Sequence, residues 1–407
     1  NLLMKKQKIS KILVDPSVMD TPLAESYVQN NPQATVEELD LAPEMQEQFF
    51  QRSAGRRKRE ILLTRSRGHT LKQCPGTAHS YICCNYQVIN QTFGCPMDCT
   101  YCILQFYLNN PVTTVYVDIE TIISEIEKKI TLQPERFFRI GTGELTDSLA
   151  FDNSSGFSRE IVKTFAQLDN AILELKTKSN NIDNLIGLDH NGHTVVAWSL
   201  NPPQVIASEE HKAATLDERL DAAKRMEGEG YKLAFHFDPI LYHNGWEENY
   251  EELIKRLFSM IKPESVTWIS LGSLRFPPDM KEKVLSKFPK SKIMFGEFIR
   301  GLDGKMRYIK PLRLELYCHV YRCLRKYGGD DLFIYFCMEP SSVWKTVFGW
   351  SPESNEHLDY LFAGSLYCRF PELMINPPKR EVYDRGYPLH KTPHVIPRIT
   401  SMESSVS

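Results

Sequence analysis

The stretch "KLAFHFDPI" (232–240), followed by "NYEELIKRLFSMI" (249–261), decides the fold of this chain. The first segment is a short apolar run of the kind that forms a buried strand, and the second has the apolar spacing of an amphipathic helix. Five further segments have the same strand-then-helix pattern; their strands are "QVINQTFG" (87–94), "RFFRIGTGE" (136–144), "AILELKTKS" (171–179), "HTVVAWSLN" (193–201) and "SVTWISLGSLRF" (265–276). The sequence therefore predicts six strand–helix units, with parallel strands and right-handed crossovers.

Six such units form either an open, doubly wound sheet or a partial barrel. No glycine-rich phosphate-binding loop follows the first predicted strand, which disfavours the open nucleotide-binding sheet. In a barrel, the functional groups lie at the carboxyl ends of the strands. Polar residues occur at these ends, namely Cys95, Glu144, Lys178, Ser199, Asn201, His236, Asp238 and Arg275. We therefore predict an α/β fold, a partial (β/α)6 TIM-like barrel with N- and C-terminal extensions.

The pattern outside the six units divides the chain into four parts. Residues 1–84 are predicted to be an N-terminal arm with a basic segment, and residues 85–290 the partial barrel. Residues 291–375 are predicted to be a hairpin and helical subdomain, and residues 376–407 an irregular tail. Within the arm, residues 1–50 are expected to be extended or to form a few short helices. We expect "EPSSVWKTVFGW" (339–350) to cap the open edge of the barrel.

The composition is that of an ordinary globular protein. Of the 407 residues, 42% are hydrophobic and 25% are charged. No apolar run approaches the ~20 residues of a transmembrane helix, and no signal peptide is recognised. We therefore expect a cytoplasmic protein without a membrane partner.

The charge distribution limits how the chain can bind nucleic acid. The formal net charge is −2, so DNA binding requires a local basic patch. One candidate is "RSAGRRKREILLTRSRGHTLK" (52–72), which is strongly basic and contains a single acidic residue, Glu60. The alternative is a solvated basic linker.

The chain contains ten cysteines without any sign of secretion, which indicates metal binding, redox chemistry or burial. Three of them, Cys95, Cys99 and Cys102, are grouped in "TFGCPMDCTYCILQ" (92–105). Structural zinc usually takes four ligands from two separated C-x-x-C pairs. Three thiolates on one loop can instead hold three irons of a four-iron four-sulfur (4Fe-4S) cluster and leave the fourth iron open.

This cysteine loop, at the end of the first strand of an incomplete barrel, resembles the radical S-adenosylmethionine superfamily. Tyr101, just before the third cysteine, matches the same pattern. The resemblance implies a 4Fe-4S cluster and S-adenosylmethionine as cofactors, with cleavage of the latter to a 5′-deoxyadenosyl radical. "GTGE", which is Gly141, Thr142, Gly143 and Glu144, resembles the superfamily motif that holds the methionyl amino group. Its alternative is an ordinary turn.

From about residue 60 to 340 the chain more closely resembles the spore photoproduct lyase family. The matching segments are "LKQCPGT" (71–77), "CTYCILQ" (99–105), "VYVD" (115–118), "LKTKS" (175–179), "AWSLN" (197–201) and "GYKLAFHFDPILYHNGWEENYEEL" (230–253). The family repairs a thymine photoproduct in DNA, 5-thyminyl-5,6-dihydrothymine. The radical takes a hydrogen from C6 of the lesion, and a cysteine later returns a hydrogen to the product radical.

The family resemblance also implies roles for individual residues and partners. Lys178, Ser199 and Asn201 would contact S-adenosylmethionine, and Tyr101 would lie beside its adenosyl group. Arg307 and Tyr308 match a pair that binds the lesion or the DNA backbone, with Lys310 nearby; the alternative is an exposed hairpin. The expected partners are DNA and an electron donor such as flavodoxin or ferredoxin.

Two departures from the family concern the return of hydrogen. The position of the donor cysteine is Gly141 here, and a tyrosine that follows the third cluster cysteine is Ile103. A lyase built on this chain needs another donor, for which Cys74, Cys83, Cys84 and Cys337 are candidates. With Tyr101, we take Cys74 and Cys337 as the predicted catalytic residues. Each lone cysteine is otherwise a small buried hydrophobe, and "YICCNYQ" (81–87) offers no convincing fourth ligand for a second metal site.

Three functions remain open from the sequence. The chain is a DNA-lesion lyase, a radical enzyme of the same scaffold with a metabolite or modified nucleotide as substrate, or an iron–sulfur nucleic-acid-binding protein without radical chemistry. The missing donor cysteine favours the second. The retained "GTGE", Lys178 and Ser199 argue against the third, because a protein that only holds a cluster needs none of them.

Overall fold

The structure is a computed structural model, which describes residues 9–39, 57–66, 68–74, 76, 81–108 and 112–387. Three arginines of the predicted basic segment, Arg52, Arg56 and Arg67, lie outside the described residues. The same holds for the predicted tail beyond residue 387.

The described chain alternates between short strands and longer helices. The strands are β1 (Lys11–Val14), β2 (Thr35–Glu38), β3 (Arg57–Thr64), β4 (Leu71–Gln73), β5 (Gln87–Ile89), β6 (Thr92–Phe93), β7 (Asp98–Cys99), β8 (Val112–Tyr116), β9 (Phe138–Gly141), β10 (Ala171–Thr177), β11 (Thr194–Ser199), β12 (Glu210–His211), β13 (Lys232–Ile240), β14 (Val266–Ser273), β15 (Arg275–Phe276), β16 (Phe298–Arg300), β17 (Met306–Tyr308) and β18 (Ile334–Phe336). The α-helices are α1 (Pro22–Gln29), α2 (Leu104–Tyr107), α3 (Ile119–Thr131), α4 (Asp152–Ser155), α5 (Phe157–Phe165), α6 (Pro203–Glu209), α7 (Leu216–Gly228), α8 (Trp246–Met260), α9 (Met280–Lys287), α10 (Lys310–Gly328), α11 (Ser341–Phe348), α12 (Asn355–Arg369) and α13 (Arg380–Asp384).

The main sheet has the strand order β18–β14–β13–β11–β10–β9–β5–β4. All neighbours pair in parallel except β4, which is antiparallel to β5. Each of the six predicted strand segments contributes a strand to this sheet, but two of them end outside it: Thr92–Phe93 forms β6 of the second sheet, and Arg275–Phe276 forms β15, which pairs with β17. A seventh parallel strand, β18, lies in "LFIYFC" (332–337), to which the sequence pattern assigned no strand. Its three residues are too few to show a periodicity.

The local sequence explains why these elements form. In β13 every position except Asp238 is buried, so the strand reads as a nearly continuous apolar run, as expected when both faces of a parallel sheet are covered. Helix α3 buries Ile119, Ile122, Ile126 and Ile130 along one stripe. Each such helix covers the sheet and leaves the carboxyl ends of the strands accessible to the loops.

A second sheet, with the order β2–β1–β3–β8–β6, lies before and beside the barrel. Its first strands come from the region expected to be an arm or short helices, which instead contains β1, α1 and β2. The sequence pattern is weak there because β2, "TVEE", is exposed along its whole length. Strand β8 comes from the predicted barrel segment but pairs with β3.

The C-terminal part agrees with the predicted hairpin: β16 and β17 pair antiparallel, with Phe298 opposite Tyr308. Helix α11 lies beside the edge strand β18, where Trp344 packs edge-on against Phe336 with ring centroids 5.4 Å apart. The predicted irregular tail contains one short helix, α13. Within the described ranges, no helix is both long enough and apolar enough to cross a lipid bilayer.

Candidate active site

The cysteine loop is held in place by the segment that follows α6. Strands β7 and β12 pair antiparallel, which places Cys99 opposite Glu210. The Thr100 amide donates to the Glu209 carbonyl at 2.8 Å, and the Thr100 hydroxyl donates to the Glu209 carboxylate. The Gly94 amide donates to the Leu145 carbonyl at 3.0 Å. The loop is thus anchored on two sides before any cofactor binds.

The arrangement of Cys95, Cys99 and Cys102 fits a multi-iron cluster better than a single ion. In the described part of the chain, the one group of three metal-ligating side chains within 4.8 Å of one another is elsewhere, at Glu251, His319 and Cys323. The three loop sulfurs are therefore spread more widely, as when each thiolate holds a different iron. Burial raises the pKa of Cys95 and Cys99, so cations are needed to stabilise their thiolates. The donor set fits the 4Fe-4S cluster.

Asp98, inside the cysteine loop, is surrounded by lysines. Its carboxylate pairs with Lys58 at 2.6 Å, Lys212 at 2.6 Å and Lys287 at 3.1 Å. Burial alone would raise the pKa of Asp98, but the hydrogen bonds from Lys212 and Lys58 outweigh it and hold that pKa well below its usual value. Lys58 also donates to the Met97 carbonyl. Lys58, a lysine of the basic segment, therefore stabilises the cysteine loop.

Glu210 is the centre of a buried network that sequence analysis missed. Its carboxylate accepts hydrogen bonds from the Tyr101 hydroxyl, from Asn201 Nδ2 at 3.0 Å and from Arg219 Nη2. Arg219 Nη1 also donates to the Ser199 carbonyl at 2.9 Å. A signal existed in the sequence, because Arg219 occupies the apolar stripe of α7, where a charged side chain needs a buried partner.

Lys178 faces the same network. Its Nζ lies 5.8 Å from the centroid of the Tyr101 ring. Burial alone would lower the pKa of Lys178, but the charges of Glu210 and Cys99 outweigh it and raise that pKa. The structure therefore brings together four predicted cofactor contacts, Tyr101, Lys178, Ser199 and Asn201, and it keeps the lysine charged.

The "GTGE" motif follows β9 at the same end of the barrel. The Thr142 hydroxyl donates to Ser148 Oγ at 2.8 Å. A Cβ on Gly143 would lie 3.0 Å from the Lys176 Cβ, so a side chain at this position would crowd β10. Burial raises the pKa of Glu144 and outweighs the charges of Lys176 and Lys72, which would lower that pKa. A cationic group beside Glu144 would offset that burial, which fits a bound amino group.

Gly141, the last residue of β9, has no space for a side chain. A Cβ built on Gly141 would lie 1.5 Å from Tyr86 Oη and 2.9 Å from the Glu174 carbonyl oxygen. Tyr86 therefore fills the space that a donor cysteine would use. Its pKa is raised well above the usual value, first by burial and then by the Glu174 carboxylate.

The barrel interior contains a second buried acid. The Glu174 carboxylate lies 2.7 Å from His236 Nε2 and accepts from Trp268 Nε1 at 3.0 Å. Burial alone would raise the pKa of Glu174, but the charge and hydrogen bond of His236 outweigh it and lower that pKa to about 2. His236, which was predicted at a strand end, instead lies in the middle of β13 and contacts Glu174 of β10.

Cys337 lies at the end of β18, beside a further ion pair. Arg275 Nη2 contacts Asp238 Oδ1 and Oδ2 at 3.1 and 2.9 Å, and lies 3.7 Å from Cys337 Sγ. The second predicted catalytic cysteine, Cys74, lies on the β4 side, where its amide donates to the Tyr86 carbonyl at 2.8 Å. A bridge between Ile82 and Glu339 joins the two segments, and the pKa of Cys337 is raised by burial and, more weakly, by the charges of Cys84 and Cys74. The two predicted catalytic thiols therefore lie near one another.

The predicted substrate contacts lie on the β16–β17 hairpin. Arg307 is buried, donates to both oxygens of Asp303, and its guanidinium lies 4.4 Å from the centroid of the Tyr81 ring. Tyr308 is buried and accepts the Tyr242 amide at 3.2 Å. Lys310 is exposed and donates to Ser342 Oγ at 3.1 Å. Because Asp303 balances the charge of Arg307, a DNA phosphate would have to compete with this pair.

Comparison with known proteins gives a consistent result. The sequence model described as "Spore photoproduct lyase" matches residues 77–314. The curated spore photoproduct lyase of Clostridium acetobutylicum is 27% identical to the chain over 230 residues, which cover 55% of this chain and 68% of that protein. The spore photoproduct lyase of Bacillus subtilis strain 168 is 30% identical over 224 residues, which cover 53% of this chain and 65% of that protein. The matched region thus spans about two thirds of these relatives.

Solved structures show the same fold. A spore photoproduct lyase variant with bound S-adenosylmethionine and dinucleoside spore photoproduct superposes with a TM-score of 0.70 at 23% identity, covering 80% of this chain and 98% of the other. A spore photoproduct lyase complexed with dinucleoside spore photoproduct gives 0.69 at 22% identity, covering 82% and 100%. The predicted partial barrel is confirmed.

Proposed function

The chain belongs to the spore photoproduct lyase family, and from that premise we propose that it is a radical S-adenosylmethionine enzyme that repairs a thymine photoproduct in DNA. One observation carries the proposal. The cysteine loop, "GTGE" and the network of Tyr101, Lys178 and Asn201 around Glu210 meet at one end of the barrel. A protein that only held a cluster would not need the last two.

In this proposal Cys95, Cys99 and Cys102 hold the 4Fe-4S cluster, and Glu144 with the backbone of Gly141, Thr142 and Gly143 takes the amino group of S-adenosylmethionine. When bound, these cofactors supply a carbon radical that abstracts a hydrogen atom. Lys178, Ser199 and Asn201 position the rest of the cofactor, and Glu210 orients the Tyr101 ring through its hydroxyl.

DNA is the proposed partner that carries the substrate. A damaged base pair stacks poorly, so it costs less to extrude into a pocket than an intact one. Arg307, Tyr308 and Lys310 are the proposed contacts, with Arg307 exchanging Asp303 for a phosphate. The basic segment contributes less than its composition suggests, because Lys58 is paired with Asp98. Binding to a photoproduct duplex should therefore weaken with salt only moderately.

The electron donor is proposed to be an acidic one-electron carrier such as flavodoxin or ferredoxin. Lys212 and Lys287 stand beside the cysteine loop with side chains 46% and 49% exposed. Positive charges at this position would steer an acidic carrier towards the cluster. The rate of cluster reduction by such a carrier should fall as the ionic strength rises.

The test uses anaerobically reconstituted and reduced protein. It receives S-adenosylmethionine and an oligonucleotide with the spore photoproduct, and mass spectrometry follows restored thymine and 5′-deoxyadenosine. Restored thymine supports the proposal. 5′-Deoxyadenosine that forms equally well without the oligonucleotide, and with no restored thymine, contradicts the repair function.

A second candidate function keeps the scaffold and changes the substrate to a metabolite or a modified nucleotide. The observation that favours it is the closed space at Gly141, together with the Arg307–Asp303 pair. It predicts 5′-deoxyadenosine formation without repair, and no salt-dependent binding to duplex DNA.

A further inference from the structure

Three thiols form a chain beside the end of β9. The Cys83 thiol is hydrogen-bonded to the thiols of Cys74 and Cys84. The position of a Cβ on Gly76 lies 3.5 Å from both Cys74 Sγ and Cys83 Sγ, so these two sulfurs border the same small space. All ten cysteines of the chain are outside disulfides in this structure. A disulfide between Cys74 and Cys83 would require their sulfurs to approach to about 2.05 Å.

The thiols are placed next to the proposed radical site. Strand β4 pairs with β5, and β5 pairs with β9 so that Val88 lies opposite Gly141. The Glu144 carboxylate is close enough to Cys74 to act on its charge. The backbone of Cys83 is fixed by Asn355, whose Oδ1 accepts its amide at 2.7 Å. The group therefore borders the "GTGE" motif, one strand from the space that Tyr86 closes.

The three thiols differ in charge and exposure. The hydrogen bond from Cys83 and the Arg139 guanidinium outweigh burial and lower the pKa of Cys84 to about 6, so Cys84 is mostly a thiolate at neutral pH. The pKa of Cys83 is raised well above its usual value, so Cys83 keeps its proton. Cys83 and Cys84 are buried, whereas Cys74 is partly exposed. The hydrogen bond from Cys83 outweighs burial and lowers the pKa of Cys74.

We propose that Cys74, Cys83 and Cys84 form a dithiol–disulfide centre that returns hydrogen to the substrate radical. Cys74 is the hydrogen-atom donor, Cys83 the thiol that resolves it, and Cys84 the base. This inference rests on the proposed function and supplies the donor that Gly141 cannot provide.

The step balances in atoms and electrons. The S–H bond of Cys74 breaks, its hydrogen atom forms a C–H bond on the product radical, and Cys74 becomes a thiyl radical. The proton of Cys83 passes to the Cys84 thiolate, and the Cys83 sulfur bonds to Cys74 as a disulfide radical anion. The extra electron leaves to a one-electron acceptor, the oxidised form of the carrier that serves the enzyme. The two thiols are thereby oxidised to a disulfide.

This route has a stoichiometric consequence. The deoxyadenosyl group keeps the hydrogen that it took from the lesion, so each repair consumes one S-adenosylmethionine. Each repair also leaves one disulfide, which an external dithiol must reduce before the next turnover. A single donor thiol that recovered its hydrogen from deoxyadenosine would show neither.

The first test needs no cofactor. The full-length protein is equilibrated in dithiothreitol buffers of graded redox poise, alkylated and digested, and the peptides are mapped by mass spectrometry. We expect a Cys74–Cys83 disulfide that disappears in C83S and persists in C368S, which changes an exposed cysteine on α12. Separate alkylation of Cys74 and Cys83 at every poise would overturn the inference.

The second test is a single turnover in D₂O with reconstituted protein, the photoproduct oligonucleotide and no external thiol. We expect one deuterium in each repaired thymine pair, with one disulfide and one 5′-deoxyadenosine. C74S should still form 5′-deoxyadenosine but lose deuterium transfer roughly tenfold or more. Repair without a disulfide, or unchanged deuterium transfer in C74S, would contradict the thiol centre but not the proposed function. Absence of repair in the unmodified protein and in every variant would contradict the proposed function. The redox mapping would still show whether the disulfide exists.

Discussion

Two sides of the barrel mouth carry different kinds of group. Beside β11, Glu210 gathers Arg219, Tyr101 and Asn201 into a buried charged network. Beside β9, the corresponding space is filled by Tyr86 and bordered by small thiols. A buried charge depends on all of its partners, since removing one leaves the other unpaired. The protonated thiol of Cys83 is small and weakly polar, so it can be exchanged at lower structural cost than a buried charge. The charged side therefore fixes position, and the thiol side is where the chemistry can vary.

The largest expected effect separates the cysteines of the two sides. Cys99→Ala removes one proposed iron ligand opposite Glu210. The reconstituted variant should lose both the visible absorbance of the cluster and all cleavage of S-adenosylmethionine. Cys74→Ala is the matched control and should keep both. A Cys99→Ala protein with an intact cluster would contradict the assignment of the loop.

The next prediction concerns the charged network. Arg219→Met removes the cation that is hydrogen-bonded to the buried Glu210 carboxylate, so the free energy of unfolding should fall by about 3–5 kcal/mol in urea titrations. Arg225→Met, at an exposed position of the same helix, should change it by about 0.5 kcal/mol or less. If the two variants were equally stable, Glu210 would not depend on Arg219.

A smaller effect is expected on the β9 side. Gly141→Ala places a methyl group against Tyr86 Oη and should cost about 1–3 kcal/mol of unfolding free energy. Tyr86→Ala should lower the free energy of unfolding less in the Gly141→Ala variant than in the unmodified protein, because the two residues share one space. Gly364→Ala is the control: its Cβ meets nothing within 4 Å on a helix, so it should stabilise slightly. Additive costs at Gly141 and Tyr86 would contradict the shared space.

The smallest expected effect is the pH dependence of thiolate formation at Cys84. The ultraviolet absorbance of thiolate in cofactor-free protein should show a step with a midpoint at a pH of about 6, from the pKa of Cys84. Because the folded pKa lies below the ordinary value of 9.0, the stabilisation from this thiolate is fully present above pH 9 and is lost as the pH falls through 6. Cys84→Ser should remove the step and Cys368→Ser should retain it. A step that survives in Cys84→Ser would place the thiolate elsewhere.

Much of the fold follows from local pattern. Six strands and the hairpin could be predicted because each has its own run of apolar residues or its own turn, and that signal survives without neighbours. β18 and the strands β1 and β2 could not, since three or four residues with exposed positions carry no period. The proposed iron ligands could be singled out for the same reason as the long strands: Cys95, Cys99 and Cys102 lie within one loop.

The candidate site was only half visible from the sequence. The family resemblance singled out Tyr101, and strand-end reasoning singled out Lys178 and Asn201, since parallel strands bring their carboxyl ends together. It missed Glu210 because this residue follows a helix, although Arg219 in an apolar stripe was a usable clue. The family resemblance predicted Arg307 as a contact for the lesion or the DNA backbone, and it gave no sign that Asp303 in the turn of the same hairpin pairs with it.

The sequence by itself determined the strand–helix alternation and the cysteine loop, because both depend on residues close together in the chain. Only the tertiary structure decided which distant groups meet. Tyr101 and Glu210 are 109 residues apart and form one hydrogen bond; Tyr86 occupies the space at Gly141; and Cys74 reaches Cys83. These contacts depend on the register of β5 against β9 and of β7 against β12, which is set by packing over the whole sheet and by no local pattern.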